Sequence, residues 1–240
     1  MNDRIDIKLI RSLSQKIYRD ETGLFVAEGE KMVQEALNSP FNVVSVIRKE
    51  EAGEKIMSRI SMMSSPSPCL AVIGKPSDSE ISDEKIHEYV AGHGLYLALD
   101  SIRDPGNLGT IIRTADWFGI KKIVLSQDTC DPWQHKVIQS SMGSIFRTNI
   151  IETDIIQFLK EINTPVFGAL MQGKNVFHTN IKQNQGVIII GSESHGIREN
   201  VMPFISCPIN IPRAKGSATE SLNASIAAGI IMAEVFRKNL

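Results

Sequence analysis

The apolar positions of this chain fall into two patterns, one in each half. In residues 5–22, Ile5, Leu9, Leu13 and Ile17 recur at helical spacing, which predicts one helix with a single apolar face. Short apolar runs at 24–27, 43–47 and 70–73 read as strands. Between them, 30–37 and 50–60 resume helical character, and 61–68, rich in Ser and Pro, reads as a loop. Residues 75–83 are polar and contain Pro76, which suits a linker.

The second half alternates more cleanly. Residues 95–99, 122–125, 166–170, 187–190 and 209–211 read as strands. Helices are predicted at 109–118, from 135, and over the Ala-rich stretch 221–235. Near-continuously apolar strands separated by helices imply a parallel sheet covered on both faces, hence an α/β fold. The division that follows is 1–75, a linker over 76–93, and 94–240. In such sheets ligands bind beyond the carboxyl ends of the strands. That directs attention to 100–110, 191–196 and 213–223.

Composition changes the picture only locally. The net charge is −1, so the chain as a whole carries no nucleic-acid signature. Yet residues 1–19 hold Arg4, Lys8, Arg11, Lys16 and Arg19 against Asp3 and Asp6 alone. Lys8, Arg11, Lys16 and Arg19 suit phosphate contacts and suit a solvated helix face equally. Cys69, Cys130 and Cys207 are odd in number and far apart, which fits a reducing compartment and offers no metal spacing. The polar N-terminus is no secretory signal, and no apolar run is long enough to span a membrane. A cytoplasmic protein without a metal is the expectation.

Three constellations follow strands. The first runs from Asp100 through Pro105-Gly106-Asn107 to Arg113, with Asn107 placed as a helix N-cap and Arg113 one to two turns in. The second, Gly191-Ser-Glu-Ser-His-Gly196, is a glycine turn that brings backbone close to a ligand, with Glu193 at the strand's end. The third ends in Ser221 and Asn223, both capping residue types, before the last helix. Each also has a plain structural reading as a cap or turn. A lone His195 is more often incidental than an acid/base. P-loop, dinucleotide-fold and serine-elbow signatures are absent.

Together, DPGNLGTIIRTADWFGI, IIIGSESHGI and INIPRAKGSATESLNASIAAGI resemble motifs 1, 2 and 3 of the SpoU (TrmH-type) RNA ribose methyltransferases of the SPOUT superfamily. KLIRSLSQKIYRDETGLFVAEGEKMVQEAL is similar to that family's substrate-binding domain, itself like small ribosomal RNA-binding proteins. The resemblance implies a SPOUT domain with a deep trefoil knot and a smaller N-terminal α/β RNA-binding domain. It implies S-adenosylmethionine as cofactor, a homodimer with the site at its interface, and methyl transfer to a ribose 2′-hydroxyl in ribosomal or transfer RNA. Carried over by position, Arg113, Asn107, Glu193, Ser221 and Asn223 form the catalytic set. Leu170, Gly191, Ile211 and Leu222 line the cofactor.

The chemistry needs such groups. A ribose hydroxyl is a poor acid, so its proton must be taken or its alkoxide stabilised. The family proposal makes Arg113 the base, against the usual persistence of charge on arginine. A cationic clamp on phosphate and developing negative charge is the other role. Glu193 would pair with the arginine. Two features depart from the family pattern: a longer loop over 213–220, and Ser194 where a glycine usually follows the glutamate. The competing expectations are a catalytically silent RNA-binding protein of the same fold and a small-molecule enzyme unrelated to RNA.

Overall fold

The structure, a computed structural model, describes residues 5–76, 94–182 and 185–238. The expected linker falls almost wholly outside these residues.

The predicted N-terminal helix is two short helices, α1 (Ile7–Ser12) and α2 (Lys16–Thr22). The chain turns between them because Ser14 and Gln15 donate their N–H groups back to Arg11 and Ser12 carbonyls. The turn leaves Ile17 59% exposed, so it does not share the apolar face of Leu9 and Leu13. Gly23, with φ of +64°, ends α2 in the left-handed conformation that L side chains resist. Strand β1 (Leu24–Glu28), helix α3 (Glu30–Leu37), strand β2 (Val43–Arg48), helices α4 (Lys49–Ala52) and α5 (Glu54–Ile60), and strand β3 (Cys69–Gly74) complete this part. The helix expected over 50–60 is thus split, at Gly53, whose φ of +80° and ψ of +156° are not helical.

The three strands form one antiparallel sheet in the order β1-β3-β2. Its two faces bury different sets. Val26, Ile47, Leu70 and Val72 pack with Ile10, Leu13, Met57 and Ile60 under α1 and α5. Phe25, Ala27, Ala71 and Ile73 pack with Met32, Val33 and Ala36 of α3, in a core that continues into the second half of the chain.

That second half contains strand β4 (Gly94–Asp100), helix α6 (Pro105–Trp117), strand β5 (Lys122–Ser126), helix α7 (His135–Ser141), strand β6 (Asn149–Thr153), helix α8 (Ile155–Glu161), strands β7 (Val166–Asn175), β8 (Gln185–Gly191) and β9 (Cys207–Asn210), and helix α9 (Ala224–Lys238). The sheet order is β6-β5-β4-β8-β7-β9, and every pairing in it is parallel. This is the predicted α/β sheet, with β6 added at its edge. Gly109 lets α6 lie against α7: a Cβ there would stand 2.7 Å from the Val137 carbonyl oxygen. Among the described residues no helix is long and apolar enough to cross a membrane.

The two halves meet through β1 against α7 and through Glu35 of α3, which pairs with Arg147. Phe25 and Phe41 pack on Trp133 with ring centroids 5.1 Å and 5.8 Å apart, and both also meet Phe146. Arg19 closes the contact. Its Nε and Nη2 donate to Asp131 Oδ2 at 2.9 Å and 2.5 Å, and its Nη1 donates to the Leu13 carbonyl. The expectation that Arg19 contacts phosphate is therefore corrected: the side chain is buried in an ion pair between the two halves, where no RNA backbone reaches it. The helical periodicity of 5–22 gives no sign of a partner 112 residues away.

Candidate active site

Strands β4, β8, β7 and β9 lie side by side, so their carboxyl ends form one rim. The three sequence constellations leave from this rim. After β4, Ser101 turns the chain with φ of +61°, an uncommon angle for a residue with a side chain. Its N–H donates to Ser126 Oγ and its hydroxyl to Asp128, which hold the turn in place. Asp104, not Asn107, is the N-cap of α6: its Oδ1 accepts from the Asn107 N–H at 2.8 Å. Pro105 occupies the first helical position, where no N–H is needed.

With its backbone capped, Asn107 has its side chain free for a second task. Its Nδ2 donates to Glu193 Oε1 in a short hydrogen bond. Its Oδ1 accepts from Asn223 Nδ2 at 3.0 Å. Asn223 Oδ1 in turn accepts from the N–H groups of Ser225 and Ile226 and from the Ser225 hydroxyl, and so starts α9. One amide on α6 thereby joins the loop after β8 to the start of α9. Three of the predicted catalytic residues, Asn107, Glu193 and Asn223, are brought together.

Arg113 and Ser221 are not joined to them. Both are exposed. Glu193 does not pair with Arg113; its carboxylate is on Asn107. Arg113 shares the outer stripe of α6 with Trp117, which is 82% exposed. Beside that stripe, α9 presents Ile226 at 54% and, just before it, Leu222 at 44%. The two helices run close together, with the Gly229 Cβ position 3.9 Å from Thr114 and the Phe118 and Phe236 rings 5.5 Å apart.

The loop after β8 is fixed by interactions that the sequence does not announce. Ser192 and Gly196 exchange backbone hydrogen bonds of 3.1 Å and 2.9 Å. A Cβ on Gly191 would stand 2.2 Å from the Gly196 carbonyl carbon, so only glycine permits this turn. Arg198 donates its N–H and its Nε to the fully buried Asp100 at 2.8 Å and 2.6 Å, and its Nη1 lies 3.3 Å from Asp128. Burial works against charge on Asp128, but the Ser101 and Ser126 hydroxyls and Arg198 outweigh it and hold its carboxyl below the usual range. The only sequence signal is an aspartate closing an apolar strand.

The predicted cofactor residues fall on neighbouring positions of the rim. Leu170 lies on β7, Gly191 ends β8, Ile211 follows β9, and Leu222 precedes α9. At Gly191 the space a side chain would need is filled by the Gly196 and Ile197 backbone. Among the described residues no group of three or more His, Cys, Asp or Glu is arranged to hold a metal ion.

Residues 94–233 match the signature of the SpoU rRNA Methylase family. The chain belongs to that family. Residues 4–65 match an MRM3-like substrate binding domain. As a SpoU methylase the chain is an RNA methyltransferase, and its cofactor is S-adenosylmethionine. It is 28% identical to the 23S rRNA (guanosine(2553)-2′-O)-methyltransferase RlmP of Bacillus subtilis, over 94% of each chain. The S-adenosylmethionine-bound rRNA methyltransferase of Sinorhizobium meliloti superposes with a TM-score of 0.87 at 29% identity, covering 99% of this chain and 96% of that one. A TrmH-family structure from Porphyromonas gingivalis gives 0.86 at 30% identity, over the whole of both chains.

Proposed function

We propose that this SpoU methylase transfers a methyl group from S-adenosylmethionine to a ribose 2′-hydroxyl of ribosomal RNA, in the cytoplasm. The observation that carries the reading is the hydrogen-bonded set Asn107–Glu193–Asn223 at the rim of a SpoU-type sheet. RlmP of Bacillus subtilis, related along nearly the whole chain, is named for the same reaction type. The catalytically silent reading has no such support.

S-adenosylmethionine supplies an electrophilic sulfonium methyl when bound, and Leu170, Gly191, Ile211 and Leu222 are the residues we assign to holding it. Asn107 and Asn223 orient the ribose. Glu193 fixes the Asn107 amide so that its direction does not alternate. With the cofactor bound, the 2′-hydroxyl would lose its proton to solvent, negative charge would develop on the oxygen as the proton leaves, and the new oxygen–carbon bond would form as the carbon–sulfur bond breaks. We assign Arg113 as the cationic clamp rather than the base, because arginine as a residue type keeps its charge in proteins. Ser221 contributes a hydroxyl to the same phosphate or ribose.

We further propose that residues 1–75 form the RNA-binding domain, which the substrate-binding match over 4–65 supports. The working unit is a homodimer. The exposed Trp117, Ile226 and Leu222 beside Arg113 support it, because a second copy seated there would cover apolar surface and close the site around Arg113. The C-terminal segment from β9 through α9 forms the trefoil knot, as the motif resemblance implies.

The test is methyl transfer from labelled S-adenosylmethionine to undermethylated ribosomal RNA. Label at an alkali-resistant linkage, lost in Arg113→Ala and Asn107→Ala, is the expected result. Cofactor binding without transfer to any RNA rejects the reading.

A further inference from the structure

Asp116 places a carboxylate in the last turn of α6. A negative side chain there opposes the helix dipole, and aspartate is a weak helix former. Two cations from outside the helix account for its presence. The Lys121 ammonium pairs with Oδ1, and Arg147 grips Oδ2 through Nε and Nη2, both at 2.9 Å. Burial works against charge on Asp116, whose side chain is 11% exposed. Lys121, Arg147 and the Ser144 hydroxyl outweigh it and hold the carboxyl below the usual range.

The same guanidinium reaches the N-terminal half. Arg147 Nη1 donates to Glu35 Oε2 of α3 in a short hydrogen bond, and Nη2 lies 3.2 Å from Ser144 Oγ. Arg147 follows Phe146, whose ring packs on Phe25 and Phe41 of that half. Glu35 is itself held in place. A Cβ at Gly143, which has φ of +91°, would stand 2.7 Å from Glu35 Cγ, so the Glu35 stem lies directly on the turn before Arg147. One planar fork thus spans two carboxylates on two helices, one from each half. A lone exposed pair contributes little, whereas a fork shared in this way adds direction to the attraction.

Where this contact ends matters as much. Two other polar contacts between the halves end away from α6: Arg19 on Asp131, after β5, and the Glu28 carbonyl on Gln139 of α7. The Glu35–Arg147 contact ends, through Asp116, on the helix that carries Arg113, about one turn after it. The first turn of α6 is fixed by the Asp104 cap and by the Asn107–Glu193 hydrogen bond. We propose that Arg147 is a positioning residue for methyl transfer: it ties α3 of the N-terminal half to the last turn of α6, so that docking of the two halves holds Arg113 in place. The inference rests on the methyltransferase reading above and makes the domain contact, and not the rim alone, a condition of the rate. The Arg147 guanidinium is taken up by Glu35 and Asp116, so it acts through α6 and not on the substrate.

The test uses the full-length protein with Glu35→Met, Asp116→Ala and the two combined. Glu35→Met keeps the stem that packs on Gly143 and removes the acceptor. Asp116→Ala takes an acid out of a helix C-terminus, so the exchange does not itself weaken α6. Neither strands a buried charge, since the Arg147 and Lys121 side chains are 40% and 50% exposed. Rates are read on undermethylated ribosomal RNA, well below the unfolding midpoint of each variant. Each single variant should lower kcat about tenfold, short of the roughly hundredfold that a 1 Å misplacement costs, with KM for RNA changed less and cofactor affinity unchanged. The double variant should be no slower than the slower single, because a tie cut at one end is not cut further at the other. Independent contacts would multiply their losses. Hydrogen exchange gives a readout without activity: residues 110–120 should exchange faster in Glu35→Met, a substitution on the other half. Wild-type kcat in both single variants, or losses that multiply in the double, overturns the positioning role and leaves the methyltransferase reading. Cofactor binding by wild type with no transfer to any RNA rejects that reading. The exchange measurement then decides the tie, and unchanged exchange in Glu35→Met overturns it.

Discussion

Two arginine–aspartate pairs organise this chain, and they differ in how much water reaches them. Arg19 and Asp131 are both buried, at 4% and 5% side-chain exposure, and their pair bridges the two halves. Arg198 is 35% exposed while its partner Asp100 is fully buried, and their pair fixes the loop that carries Glu193. A pair closed at both ends has no escape into solvent when one member is lost. In the open pair the buried Asp100 is also held by the Arg198 backbone N–H, so the arginine side chain is not its sole partner. The first therefore sets whether the domains stay docked, and the second how accurately the rim is held.

The largest effect is expected at Asp131. Asp131→Ala leaves the Arg19 guanidinium buried with only the Leu13 carbonyl. Removing one member of a buried pair costs about 3–5 kcal/mol. Urea unfolding reads that loss, and adding Arg19→Met restores part of it because no uncompensated charge is then left inside. A loss no larger than that of a surface substitution would show that water reaches the pair.

At the open pair the expected effect moves from stability to rate. Arg198→Met removes the clamp between Asp100, Asp128 and the Gly191–Gly196 turn, and the Asn107–Glu193 hydrogen bond loses its fixed partner. A misplacement of about 1 Å at a reacting centre costs on the order of a hundredfold in rate. kcat should fall by that order while the unfolding midpoint falls less than in Asp131→Ala, because the buried Asp100 keeps the backbone N–H of residue 198 as a partner. Arg198→Lys recovers little, since an ammonium does not span Asp100 and Asp128 as a planar fork does. Equal loss in stability for both sites would erase the distinction.

The same contrast explains what was legible in the sequence. The strands of the large sheet were legible because each is a continuous apolar run, and the rim residues because they follow those runs. Edge strand β6 was missed: Asn149–Thr153 is short, with polar residues at both ends. Helices 5–22 and 50–60 look continuous because apolar spacing survives a turn, whereas Gly53 and the bend after Leu13 break the backbone. Asn107 suits a cap by residue type, but Asp104 does that and leaves the Asn107 side chain for Glu193 and Asn223. Arg19 looks like one of four surface cations. Its burial depends on Asp131, a partner no local pattern contains.

Acid weakens the domain contact. His135 lies between the halves, with Nε2 buried and 3.4 Å from Glu28 Oε1. Burial pushes its imidazole below the ordinary histidine value, and Glu28 opposes that only in part. The Glu28 carboxylate is already engaged by the Ser61 hydroxyl and the Met62 N–H. A lowered folded value means the unfolded chain binds the proton first as pH falls. Stability therefore rises with pH and is lost on going below about 6.5. The carboxyls of Asp20, Asp116 and Asp128 are also held low, so they act in the same direction at more acid pH. Unfolding between pH 7 and 5.5 should weaken wild type more than His135→Gln. The same slope in both would mean His135 is already solvated.

The smallest effect is expected far from either pair, on α1. Lys8 and Arg11 belong to the face of the small sheet that packs under α1 and α5, away from the core shared with the methylase domain. Lys8→Gln with Arg11→Gln should change the KM for RNA by less than about twofold, a value typical of removing charge from a solvated helix face. A loss of about tenfold would place the RNA path over α1, and the packing between the halves would then orient that face of the small sheet toward the substrate.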